Sequence, residues 1–420
     1  MSYELVILLC MLAMFAASVF FLKMPAGVSL MLAAVTGAMV GGNGLPVRHL
    51  VEGGFGFLEA ILIICTAMIF MRTMEATGAL AGISRMLLRM FYRQPTLLMI
   101  AIVIFIMFPG MLTGLASTCV LTTGALAAPI LLRLGMPRLA VGGFIAMASV
   151  FGEVAPPISI PVMIIGGGVD MPYIGFGIPL LVASIPAAIA VALYFRARYL
   201  PSYDKNEVAE YLSGEGLVKG SFWLYFPILF VIVYMVAEIR FHEFVPHLGV
   251  PLIFITGTIM GLVTKRINII SVSRDALRSA LPVLSILVGV GMFLQIMALT
   301  GVRGWLAVTA LNLPEGLRYL AAGIMPFMGS AYASASVIGV PLVYVFIGKS
   351  VMMVTAALVL MAALGDMMPP PSLLCAYAGQ IIDEKNHFRI LRLCLLPIAF
   401  SMATGILILI FAQQIANLLL

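Results

Sequence analysis

The sequence predicts an all-α polytopic membrane protein made of two inverted structural repeats, each with a re-entrant hairpin and a broken helix. Four observations carry that expectation. Of the 420 residues, 63% are hydrophobic and only 10% are charged, which leaves too little polar surface for a water-soluble domain. The apolar residues fall into about ten runs of roughly 20 residues, the length that crosses a bilayer as a helix. Strand-type alternation is absent, so helices rather than a barrel must satisfy the backbone in lipid. Finally, a helix-breaking motif occurs twice inside apolar runs, as "FGEVAPPISI" (Phe151 to Ile160) and "LGDMMPPPSL" (Leu364 to Leu373). The two copies pair Gly152 with Gly365, Glu153 with Asp366, Pro156 with Pro369, Pro157 with Pro370 and Ser159 with Ser372, all at one constant offset.

Taken in order, the first helix spans about 4–22 and ends at Lys23, and the second spans about 26–42. Glu4 and the lack of a basic residue before the first apolar run point to a retained helix with its N-terminus outside, rather than a cleaved leader. A third helix at about 54–78 reaches the amphipathic stretch "ISRMLLRMFYR", whose Arg85, Arg89 and Arg93 lie inside. Residues 96–134 follow. A single crossing would leave Arg133 and Arg138 outside, whereas a re-entrant hairpin turning near Thr113 to Thr118 returns them inside, and the positive-inside bias favours the hairpin. The broken segment 139–169 leads to Asp170, and a helix at about 173–195 returns to the hydrophilic interval 196–220.

That interval divides the chain into a first repeat, 1–195, a cytoplasmic linker, 196–220, and a second repeat, 221–420. The second repeat runs in the opposite sense, with helices at about 222–239, 247–264 and 280–300, a hairpin at 317–348, a broken segment at 350–382 and a last helix at about 390–416. This topology places both termini on the outer, periplasmic side and most Lys and Arg inside. Local likenesses support the duplication: "MEATG" (Met74 to Gly78) pairs with "MALTG" (Met297 to Gly301). "FPGMLTGLASTCV" pairs with "MPFMGSAYASASV", aligning Pro109 with Pro326, Ser117 with Ser334 and Val120 with Val337.

Inverted repeats with helices broken at mid-membrane are the signature of a secondary transporter. A Pro-Pro pair removes two backbone donors and bends the helix. The freed carbonyls and N–H groups are costly in lipid unless an ion or substrate takes the missing partner's place; half-helix N-termini favour anions and unwound carbonyls favour Na⁺. The candidate substrate- and ion-binding residues are Ser117 and Thr118 at the first tip, Ser334 and Ser336 at the second, and Glu153, Pro156, Pro157, Ser159, Asp366, Pro369, Pro370 and Ser372 at the breaks. Na⁺ sites are expected near Ser117, Ser159, Ser334 and Ser372. The hydroxyls at the tips equally suit helix packing. An intramembrane carboxylate is expensive and marks function by default, although Glu153 and Asp366 also suit the role of cap at a broken helix end.

The remaining polar residues read as structural. Glu75 lies three residues from Arg72 and is its expected salt-bridge partner. The five cysteines show no paired or metal-like spacing and read as small packing residues. The four histidines sit in or near loops, which argues against a metal centre, and the thirty methionines read as core. The net charge of +6 resides beside membrane segments, where it sets topology, so nucleic acid is not an expected partner.

The stretch from "LKMPAGVSLMLAAVTGAMVGG" to "MRTMEATGALAGISRML" resembles the N-terminal part of the large membrane subunit of TRAP (tripartite ATP-independent periplasmic) transporters. "GEVAPPISIPV" is similar to that family's first Pro-Pro-Ser-Ile-Pro motif, with Ile158 inserted between Pro157 and Ser159, and "GVPLVYVF" and "GDMMPPPSLL" are similar to its second-half counterparts. The resemblance implies an elevator-type transporter of the bacterial inner membrane, in which hairpins and broken helices form a mobile unit. It implies a small organic-acid substrate such as a C4-dicarboxylate, Na⁺ as coupling ion and no organic cofactor. It also implies two partners, a small four-helix membrane subunit and a periplasmic substrate-binding protein. The chain departs from the family pattern at the first tip, Thr113 to Thr118, where a Ser-Gly-Ser cluster is usual. It departs again at the second tip, which lacks an acidic residue, and at Glu153 and Asp366, which stand where apolar residues are expected.

A stand-alone H⁺-coupled carrier using Glu153 and Asp366 as proton acceptors is the competing expectation. An intramembrane enzyme lacks support, since neither His-Glu-x-x-His nor Gly-x-Ser-x-Gly occurs. A passive channel would not need two inverted broken-helix hairpins.

Overall fold

The computed structural model describes residues 2–173, 175–200, 222–241, 244–312, 314–346, 348–369 and 372–419. Among them the chain is helical throughout, with no strand. Among the described residues six helices are long and apolar enough to cross a membrane, and several shorter apolar helices of 10–17 residues accompany them. Much of the linker expected at 196–220 lies outside the described residues, as do His242, Pro370 and Pro371.

The helix boundaries follow local chemistry. Pro25 precedes Ala26–Val40, Pro95 opens Pro95–Thr113, and Gly78, at φ 88°, ends Leu58–Thr77 with a left-handed cap. Gly301 provides the same left-handed turn after Ile269–Leu299, so the two Met-x-x-Thr-Gly endings share a backbone role. Three helices differ from the sequence expectation, among them the last, expected as one helix at about 390–416 but interrupted at Phe411 between His387–Ile410 and Ala412–Leu419. The third helix, expected at about 54–78, begins at Leu58, and the loop expected before it holds a separate helix, Val47–Phe55; Gly53, Gly54 and Gly56 weaken the helix where the two divide. Its second-half counterpart, expected at 280–300, is a continuous helix of 31 residues that starts at Ile269, where the Asn268 side chain accepts from the N–H groups of Ile270 and Ser271.

Packing sorts the helices into two groups. In the first, Ala26–Val40, Val47–Phe55 and Leu58–Thr77 all lie against Ile269–Leu299, with Tyr3–Phe20 and Val250–Thr264 outside them and Phe222–Arg240 against Val250–Thr264. Arg72 ties this group together inside the apolar region. Its Nη1 pairs with Glu75 Oε2 at 2.8 Å, as the spacing predicts, and its Nη2 reaches Ser279 Oγ at 3.3 Å. Lys265 Nζ donates to the carbonyls of Ala76 and Thr77, placing a cation on the C-terminal end of Leu58–Thr77.

The second group centres on Arg138–Val154, which is buried on every side from Ala140 to Val154. Pro95–Thr113, Gly177–Tyr199, Val351–Ala363, Leu373–Ile382 and His387–Ile410 pack around it. Each half of the sequence supplies helices to both groups. Two short helices, the amphipathic Ala79–Phe91 and the more uniformly apolar Val302–Leu311, join the groups at corresponding points in the two halves.

Candidate functional site

The first hairpin runs through Pro95–Thr113, turns at Gly114 (φ 71°) and returns through Ala116–Cys119, a π-helical turn Val120–Gly124 and Ala125–Arg133. Its arms are antiparallel and stitched by side chains of the return arm. Cys119 Sγ accepts from Gly110 N–H (3.0 Å) and points at Met107 O (3.5 Å), while one turn further on Thr123 Oγ1 donates to Ile106 O (3.0 Å). These exchanges occur beside Pro109, whose missing N–H interrupts the ladder of its own arm. Gly152 of the central helix presses against this seam. A Cβ there would meet Cys119 Sγ and Met107 O at 2.7 Å, so only glycine fits.

The second hairpin follows the same plan. Glu315–Ile324 and a tight turn Met325–Met328 lead to Gly329 (φ 70°), and the chain returns through Ala331–Ser334, a π-helical turn Ala335–Gly339 and Val340–Val345. This correspondence corrects the register expected from sequence. Matching identical residues pairs Ser117 with Ser334, but matching the turn glycines and π turns pairs Cys119 with Ser334 and Ser117 with Tyr332. Function agrees with the backbone register: Ser334 Oγ donates to Met325 O across its hairpin at 2.9 Å, the stitching role of Cys119.

Both broken helices stop where the sequence places the prolines. Arg138–Val154 ends at the Ala155-Pro156-Pro157-Ile158-Ser159 break and restarts as Ile160–Gly168. Val351–Ala363 tightens into Leu364–Met367 and restarts as Leu373–Ile382 after Ser372. Each restarted half packs on a hairpin tip: Ile160–Gly168 on the second hairpin, and Leu373–Ile382 on the first. The breaks and tips therefore form one interlocked centre.

Within it the sequence-predicted residues divide by their partners. Ser334 and Ser336 bond backbone carbonyls of their own hairpin, the latter at 3.1 Å to Ala333 O. Thr118 Oγ1 faces Met68 Sδ of the first packing group at 3.6 Å, and Ser117 is half-buried. Pro156 and Pro157 are half-buried, joined by a cis bond, and Pro369 is exposed. Ser159 and Ser372 are both fully buried, and neither hydroxyl has a hydrogen-bond partner. Ser372 adopts a left-handed conformation (φ 55°, ψ 50°), whereas Ser159 is extended. Pro370 lies outside the described residues.

The two acids are also brought together. Asp366 Oδ1 accepts from Ala331 N–H at 2.8 Å, capping the return arm of the second hairpin. Glu153 is fully buried, and both of its oxygens lack a hydrogen-bond partner. It lies beside the Tyr332 side chain and within electrostatic reach of Asp366.

Three residues of this centre escaped sequence reading. Tyr173, in the loop after the first broken helix, accepts from Ser159 N–H (2.8 Å) and donates to Pro157 O (2.6 Å), so one phenol closes the first break. Met111 O accepts from Ile158 N–H (3.1 Å), fixing that break to the first hairpin. Cys119, read as packing, is the other missed residue; its position one turn beyond the tip glycine was the available signal.

Residues 5–415 match the family described as tripartite ATP-independent periplasmic transporter, DctM component. The chain belongs to that family. The match spans nearly the whole sequence, both hairpins and both breaks included, and it identifies a multi-pass membrane protein of a TRAP-type secondary transporter. No curated protein sequence matches the chain. Two solved structures share the fold of this DctM-family chain. The Alcanivorax borkumensis YdaH transporter is 17% identical with a TM-score of 0.62, covering 87% of this chain and 88% of its own. Neisseria gonorrhoeae MtrF, described within a class of antimetabolite efflux pumps, is 14% identical with a TM-score of 0.58, covering 88% of this chain and 84% of its own.

Proposed function

We propose that this DctM-family chain moves a small organic anion, a carboxylate, across the bacterial inner membrane by an elevator movement driven by Na⁺. A periplasmic binding protein delivers the substrate and a small four-helix membrane subunit completes the complex. The observation that carries the reading is the pair of buried, unpartnered hydroxyls, Ser159 and Ser372, at equivalent positions of the two breaks. A buried hydroxyl without a partner is costly, and a hard cation held by oxygen ligands removes that cost. Among the described residues no cluster of three or more His, Cys, Asp and Glu could hold a metal; a Na⁺ site of hydroxyl and backbone oxygens needs none. The division into two packing groups joined by two short helices supports the elevator: the group with the hairpins and breaks is the cargo-carrying body, and the other is the fixed frame.

The complex reconstituted in liposomes with its two partners tests this. An inward Na⁺ gradient should drive accumulation of a radiolabelled carboxylate from a panel that includes C4-dicarboxylates, and Ser159→Ala and Ser372→Ala should each cut the rate at least tenfold. Equal uptake with Na⁺ replaced by choline would refute Na⁺ as the driving ion.

A further inference from the structure

Glu153 presents an electrostatic problem that Na⁺ coupling at the serines does not solve. Its carboxyl group is fully buried with neither oxygen hydrogen-bonded. Among the described residues, the titratable groups that face it are Asp366, Tyr332 and Cys119, and none of these is a cation. A buried carboxylate with no counter-ion is penalised by several kcal/mol, and a second acid within reach adds repulsion rather than relief. Ionising both acids would set two like charges in apolar surroundings with no cation facing Glu153, so one neutral acid is favoured.

Geometry decides which of the two holds the charge. Asp366 Oδ1 accepts a backbone N–H at the start of the return arm of the second hairpin, a contact that favours the anion. Glu153 has no such donor. Its longer side chain instead reaches the Tyr332 phenol on the same hairpin tip. The acid favoured as neutral therefore sits on the first broken helix, and what it faces belongs to the second hairpin, so any movement of the tip changes its surroundings.

We propose that Glu153 is a proton-binding site of the transport core, separate from the hydroxyls at the breaks, and that it is a neutral carboxylic acid when the second hairpin is closed on it. When the tip carrying Tyr332 withdraws and water enters, the acid releases its proton to water and becomes a carboxylate; on closure it takes one proton up. One proton is thus released on each opening and bound on each closure. The proposal rests on the elevator reading for its role in transport, but the protonation state itself does not.

The test separates the two. Infrared difference spectra of purified wild-type protein against Glu153→Gln, recorded in Na⁺ buffer and in choline buffer at neutral pH, should show one protonated carboxylic carbonyl band. That band should be lost in the variant, shift in D₂O and be present in both buffers. Glu153→Gln, which mimics the neutral acid, should melt no lower than wild type, while Asp366→Asn should melt lower without removing the band. Absence of the band in both buffers overturns the proposal. A band that appears only when Na⁺ is removed also overturns it, because Glu153 is then a Na⁺ ligand. Neither result depends on whether any substrate is carried, so failure of the elevator reading would leave this outcome readable.

Discussion

The two broken helices are built to one plan and finished differently, and the difference shows what each is for. Both end their first half on Gly-acid-x-x-Pro and restart on Ser. At the second break, Asp366 spends its carboxylate on Ala331 N–H and so locks the second hairpin to the second broken helix. At the first, Glu153 leaves both oxygens free, and closure falls instead to Tyr173, which bridges Ser159 N–H and Pro157 O. One break is held by a carboxyl oxygen on a backbone N–H at a hairpin tip, the other by a phenol from a loop. Equivalence of sequence therefore does not mean equivalence of chemistry: the acid engaged by backbone is structural, and the acid left without a partner is available to bind something.

The largest effect that would break this comparison is expected at Asp366. Asp366→Ala leaves Ala331 N–H buried without a partner, at a cost of about 1–3 kcal/mol, and should free the tip of the second hairpin. Hydrogen exchange over 329–339 should accelerate while 114–124 stays protected. Equal acceleration at both tips would mean that Asp366 supports the whole centre rather than one hairpin.

Tyr173→Phe is the converse experiment on the first break. It removes the acceptor for Ser159 N–H and the donor to Pro157 O, and about 1–2 kcal/mol of stability should go with them. Exchange should rise at Ser159 and stay unchanged beyond Ser372. Cys119→Ser comes next, because the backbone register makes Ser334 its counterpart and serine can both donate to Met107 O and accept from Gly110 N–H. The predicted change in stability is under about 1 kcal/mol, whereas Cys119→Val, which loses both contacts, should cost more.

The smallest effect lies outside the centre. The Arg48 guanidinium, hydrogen-bonded at 2.7 Å, holds the exposed Glu52 carboxyl below its ordinary range. A group lowered in this way stabilises the fold above its unfolded value and loses that contribution as pH falls through its folded value. Being exposed and screened, it should leave the melting temperature of Glu52→Gln indistinguishable from wild type at neutral pH. A clear loss would show that Val47–Phe55 docks more tightly than its exposure suggests.

The legible parts of this site were those written locally. Gly-acid-x-x-Pro-Pro-x-Ser is visible because proline and glycine act on their own backbone, and its recurrence marked where the two helices break. The Arg72–Glu75 pair was legible because both members share one helix face. The tip register was not: identity of Ser117 and Ser334 is weaker information than the left-handed turns at Gly114 and Gly329, whose conformations no single sequence displays. Tyr173 and Cys119 were missed because their partners come from chain distant enough that no periodicity connects them. Nor could the sequence separate the roles of Glu153 and Asp366, since a single backbone N–H makes the difference.

The central claim is that the two unpartnered serines mark cation sites, and ligand-linked stability tests it without knowledge of the substrate. Purified protein should be melted in NaCl and in choline chloride at equal ionic strength, as wild type, Ser159→Ala and Ser372→Ala. The account predicts a saturable rise in melting temperature with Na⁺ for wild type, reaching about 2–3 kcal/mol of stabilisation at a concentration a hundredfold above Kd, and a smaller rise in each variant. Identical melting of wild type in the two salts would contradict it.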